Sequence, residues 1–164
     1  MDVKFADTIT LLNLAAGILS LYAAARGEII LAASLIAAGM VFDFLDGRVA
    51  RLMQQSHPLG RELDSLADIV TFGVAPGAVA LAMNDSAVML FATVIYGFAA
   101  AFRLARFNIE RRKHFRGLPS PAAAALVLTA TLLFPLTPWT RWATPLVFLC
   151  VAGLMAATFT VKKP

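Results

Sequence analysis

Cysteine occurs once and histidine twice in these 164 residues. The lone Cys150 cannot form an internal disulfide, and its apolar surroundings suit packing or lipid contact better than thiol chemistry. His57 lies in a Ser-His-Pro turn and His114 in a basic loop, so neither has metal-ligand spacing to another histidine. Zinc chemistry built on Cys and His is therefore excluded. Charge is scarce as well, at 15% of residues. No polar stretch is long enough to form a soluble domain, and there is no long repeat, low-complexity tract or linker.

What remains is apolar. Sixty per cent of residues are hydrophobic and the mean hydropathy is +0.78. Apolar runs fall at 8–25, 29–44 continuing as helix to about 53, 63–83, 87–107, 122–136 and 142–161. Each is close to the ~20 residues needed to cross a bilayer. The expectation is an all-α integral membrane protein of six transmembrane helices in a single domain, 1–164. The first run is too long for a signal-peptide core and lacks a small-residue cleavage site, so it is expected to be retained as a helix.

Basic residues orient these helices. With the N-terminus in the cytoplasm, the inner face collects Lys4, Arg48, Arg51, Arg61, Arg103, Arg106, Arg111, Arg112, Lys113, Arg116, Lys162 and Lys163. Only Arg26 and Arg141 face outward. This asymmetry predicts both termini inside a cell membrane. The formal charge of +4 then reflects topology and attraction to anionic lipid, not nucleic-acid binding. Trp139 and Trp142 flank the last outer turn as interfacial anchors.

Against this background the acids between Asp43 and Asp68 stand out, because carboxylates in a membrane segment are costly and functional by default. At helical pitch Asp43, Asp46 and Ala50 share one face, with Gly47 at its edge, and Gly60, Asp64 and Asp68 form a second stripe. A tight helix pair bringing the stripes together makes a cage of carboxylate oxygens that repel one another unless a cation fills it. Hard oxygen donors point to Mg²⁺ or Mn²⁺, with room for two ions. The competing reading is a solvated helix-end cluster paired with Arg48, Arg51 and Arg61. A small cation transporter with intramembrane acids is a further alternative. It predicts acids toward mid-membrane and a repeated motif, whereas here they crowd at one boundary in a single copy.

The full pattern, D-x2-D-G-x2-A-R-x8-G-x3-D-x3-D, resembles the signature of the CDP-alcohol phosphatidyltransferases at every position. That resemblance implies six transmembrane helices, a homodimer, and transfer of a phosphatidyl or archaetidyl group from a CDP-activated lipid to an alcohol with release of CMP. It also implies that Asp43, Asp46 and Asp64 are metal ligands, that Asp68 is a ligand, the general base or both, and that Gly47, Ala50, Arg51 and Gly60 line the CDP site, at the cytoplasmic boundary.

Three later blocks, Phe72-Gly73-Val74-Ala75-Pro76, Arg103-Leu104-Ala105-Arg106-Phe107-Asn108 and Gly117-Leu118-Pro119-Ser120-Pro121-Ala122, resemble the phosphatidylserine synthase branch. Serine carries a carboxylate, for which Arg103 or Arg106 is a natural partner. The alternative acceptors are glycerol phosphate and inositol phosphate, for which Arg111, Arg112 and Arg116 offer a denser basic pocket. Each block also has a plainer role open to it: snorkelling for the arginines, close helix packing for Gly73 and Gly77. Thr10 and Asn13, one turn apart in the first helix, either contact the nucleotide or hydrogen-bond across helices.

Overall fold

The computed structural model describes residues 5–53, 58–109, 117–133 and 140–157. His57, His114, Trp139 and the basic residues 111–116 and 162–163 lie outside the described residues. The described chain is helical throughout apart from short turns. It runs α1 (Phe5–Ala25), α2 (Ile29–Leu52), α3 (Pro58–Asp68), a π-helical segment (Ile69–Val74), α4 (Ala75–Met83), α5 (Ala87–Ile109), α6 (Ser120–Leu133) and α7 (Thr140–Ala156). α3, the π segment and α4 follow without a break, so the described residues form six helical segments. Four are long and apolar enough to cross a bilayer, and α6 and α7 are shorter apolar helices of 14 and 17 residues. This is a multi-pass membrane architecture. Large side chains such as Ile18, Tyr22, Phe44, Phe91 and Phe98 point outward, as a lipid-facing surface requires.

α1 ends at a glycine because the chain must reverse there. Gly27 takes φ +75°, its N–H bonds the Ala24 carbonyl, and that of Glu28 bonds the Ala23 carbonyl, both at 2.9 Å. This left-handed cap satisfies carbonyls that α1 would otherwise strand. It folds α2 back along α1, the most extensive helix pair among the described residues.

The third span begins at Pro58 instead of near Leu63. Proline suits a first helical position, where its missing N–H has no partner to lose. Gly60, Arg61 and Glu62 interrupt hydropathy there without interrupting the helix. Six residues beyond Asp68 follow π geometry, a bulge that hydropathy does not reveal. Pro76 has no N–H to give the Phe72 carbonyl four residues back. The Tyr96 hydroxyl donates to that carbonyl instead, at 2.8 Å. In lipid such a substitute matters, since no water is at hand.

Small residues set the helix spacing. A Cβ on Gly17 of α1 would strike Thr71, and one on Gly39 of α2 would strike both Thr71 and the Asn13 amide. Thr71 Oγ1 also donates to the Asn13 carbonyl at 3.0 Å. Gly73 and Gly77 abut Ala100 and Thr93 of α5, the close-packing role open to them. α1, α2 and the π segment thus meet directly behind the acids.

Candidate active site

α2 carries Asp43 and Asp46, and α3 carries Asp64 and Asp68. Carboxylate oxygens of Asp43, Asp64 and Asp68 all lie within 4.8 Å of one another. Asp46 stands beside this group, held by Thr10, whose Oγ1 donates to its Oδ2 at 2.8 Å. Asn13 Nδ2 donates to Asp68 Oδ1 at 3.3 Å. Both α1 residues therefore bond across helices to the acids, and Thr10 also borders the cavity described below.

The expected tight pairing of the two acidic stripes needs correction. α1 packs on both α2 and α3, while α2 and α3 scarcely touch. α1 bonds to an acid of each stripe through Thr10 and Asn13, so the stripes meet at their carboxylates and a gap is left beside them. The gap is a cavity of about 360 Å³. It is bordered by Thr10 of α1, by Asp46, Gly47, Ala50 and Arg51 of α2, and by Gly60 and Asp64 of α3. A Cβ on Gly47 would come no closer to its surroundings than 4.0 Å, at Arg51, so this glycine leaves space without being needed for packing. Arg51 is drawn back onto its own helix by an Nε bond to the Gly47 carbonyl at 2.8 Å.

The donor set could hold a metal ion. It consists of hard carboxylate oxygens, and Asp64 Oδ1 and Asn13 Oδ1 are buried without a hydrogen-bond partner. Orphaned buried acceptors are rare unless something charged or polar completes them. Among the described residues none of the four acids pairs with Arg48, Arg51 or Arg61. Arg48 stacks over Phe44 instead, 4.5 Å from the ring centroid.

The two candidate arginines of α5 separate. Arg103 is half-buried, interacts electrostatically with Asp68 and Asp43, and donates from Nη1 to Ser120 Oγ. Arg106 turns to the end of α7, donating to the Ala156 carbonyl at 3.3 Å and lying over Phe102.

A match to the family model described as CDP-alcohol phosphatidyltransferase spans residues 3–160. The chain belongs to the CDP-alcohol phosphatidyltransferase family. Among its relatives are proteins named CDP-diacylglycerol–serine O-phosphatidyltransferase from Saccharomyces cerevisiae, 42% identical over 77% of this chain and 53% of the relative, and from Helicobacter pylori strain 26695, 37% identical over 79% and 57%. One of the same name from Bacillus subtilis is 38% identical over 70% and 68%. The chain thus spans just over half the length of the first two. The fold is similar to that of phosphatidylinositol phosphate synthase from Mycobacterium tuberculosis in apo form, with TM-score 0.66 at 22% identity, covering 92% of this chain and 82% of the other.

Within this CDP-alcohol phosphatidyltransferase fold the cavity has further walls that motif reading missed: Ala6, Asp7, Arg61 and Phe107. Asp7 had a signal, since it precedes Thr10 by one helical turn on the same face. Phe107 had none. Asn108 was also overlooked as a tether. Its Nδ2 lies 3.3 Å from Glu62 Oε2 and 3.1 Å from Ser65 Oγ, linking α5 to the helix that carries Asp64 and Asp68.

Proposed function

We propose that this chain transfers a phosphatidyl or archaetidyl group from a CDP-activated lipid to the hydroxyl of L-serine, releasing CMP. One observation carries the reading: carboxylates from two helices converge beside a cavity bordered by the family's motif residues. The names of the relatives support serine as acceptor. The site is assigned to the cytoplasmic side of a cell membrane on the charge asymmetry, and the working unit is taken to be a homodimer.

Asp43, Asp46, Asp64 and Asp68 would hold the divalent cation, Mg²⁺ or Mn²⁺ and two ions in the full arrangement. Bound there, it would neutralise pyrophosphate charge and stabilise the departing CMP. The residues do the rest. Gly47, Ala50 and Gly60 leave room for the nucleotide, and Arg51 and Thr10 border it with hydrogen-bonding groups. Serine's hydroxyl oxygen forms a bond to the lipid-side phosphorus, the phosphorus bond to the bridging oxygen breaks, and CMP departs with that electron pair. Asp68 accepts the hydroxyl proton. Asn13 holds Asp68 in one orientation, and Arg103 supplies a cation for the serine carboxylate.

The test is direct. Purified protein in detergent, given CDP-diacylglycerol, Mg²⁺ or Mn²⁺ and each alcohol separately, should release CMP with serine. Release with glycerol phosphate or inositol phosphate and none with serine would overturn the acceptor assignment.

A further inference from the structure

Arg103 interacts electrostatically with Asp68 and Asp43 of the carboxylate cluster, and its orientation is set by a residue from another helix. Ser120, the first residue of α6, is fully buried, and its Oγ accepts a hydrogen bond from Arg103 Nη1. A guanidinium offers its donors as a rigid fork. Occupying Nη1 leaves the opposite edge, Nε with Nη2, without a hydrogen bond among the described residues. Nε is buried and without a partner. A buried donor left unpaired is costly, and two parallel N–H groups match a carboxylate in geometry and charge. Asp43 and Asp68 act on the guanidinium electrostatically, but no ion pair takes the open edge.

Ser120 is itself held in place. Gly117 adopts φ +78° and lies so close to α7 that a Cβ there would stand 2.9 Å from the Met155 carbonyl and 3.3 Å from that of Ala157. The turn into α6 is thereby seated on the end of α7, and the first turn of α6 starts from a bond between Ala123 N–H and the Pro119 carbonyl at 2.9 Å.

We propose that Ser120 is a positioning residue for acceptor recognition: by engaging Nη1 it presents the Nε–Nη2 edge of Arg103 to the carboxylate of the acceptor. The proposal rests on the serine reading above and adds a determinant to it. Ethanolamine, which is serine without its carboxylate, gains nothing from that edge.

The experiment measures CMP release by the full chain in detergent, with CDP-diacylglycerol and Mn²⁺, against serine or ethanolamine concentration. Ser120→Ala should raise the serine KM by about tenfold, the worth of one hydrogen bond to a charged group. The KM for CDP-diacylglycerol and kcat at saturating serine should change far less. Ser120→Thr, which keeps the hydroxyl, should recover most of the serine KM, and Ser120→Ala should lose part of the preference for serine over ethanolamine. An unchanged serine KM in Ser120→Ala overturns the proposal while leaving serine as acceptor. Equal loss of serine and CDP-lipid affinity in both variants also overturns it, because that marks a merely structural residue. No release with serine by the unaltered chain refutes the underlying reading and the proposal with it.

Discussion

Removing one carboxylate from the cluster should stabilise the metal-free protein while abolishing its response to metal. Oxygens of Asp43, Asp64 and Asp68 lie within 4.8 Å of one another. At that separation and an effective dielectric of ~20, each ionised pair repels by about 3.5 kcal/mol, so three pairs sum to a ceiling of about 10 kcal/mol, reached only with all three acids ionised. Arg103 offsets part of this, as one cation against three anions. Asp64→Asn keeps the shape and deletes two of the three repulsions, about 7 kcal/mol on the same scale. If only about 2 kcal/mol of that survives relaxation, the thermal midpoint moves by about 4–8 °C for a chain of this size. The assay is thermal unfolding in detergent, first in excess chelator and then with Mn²⁺ or Mg²⁺. In chelator, Asp64→Asn should melt above the unaltered chain. On adding the ion the order should reverse, because only the intact cluster gains binding energy. A midpoint of the unaltered chain that ignores both ions, or an Asp64→Asn variant that melts lower in chelator, would refute the reasoning.

Three further outcomes are expected. Asp68→Asn should lose transfer yet still bind CDP-lipid, whereas Asp64→Asn should lose both, as ligand binding and turnover assays on the same preparations will distinguish. Arg103→Ala should raise the serine KM by roughly ten- to hundredfold, while Arg106→Ala, whose guanidinium serves the end of α7, should leave it nearly unchanged; equal effects would refute their separation. Gly39→Ala should cost about 1–3 kcal/mol through overpacking against Thr71 and Asn13, read as a lowered thermal midpoint, and should reduce activity because Asn13 carries Asp68; a neutral variant would show that this junction is slack.

Much of this molecule was decided locally. Hydropathy runs mark the spans because a bilayer demands a continuous apolar length from each helix. Helical pitch placed Asp43 with Asp46, and Asp64 with Asp68, because a face is a property of spacing alone. The same locality explains what was missed. The polar residues from Pro58 to Glu62 fall outside the apolar run that begins at Leu63, so hydropathy alone hides where the helix starts, and the π segment leaves no hydropathy trace. Which acids converge, that Asp46 answers to Thr10 and Asp68 to Asn13, and that α1 stands between the two stripes all depend on partners 36 or 55 positions apart in the chain. The same holds for the two arginines of α5. One turn of helix separates them in sequence, but only the packing of α6 and α7 turns Arg103 to Ser120 and the acids and Arg106 to a helix end. Spacing assigns a side chain to a face, and the neighbours that face meets are chosen by the packing of the whole bundle.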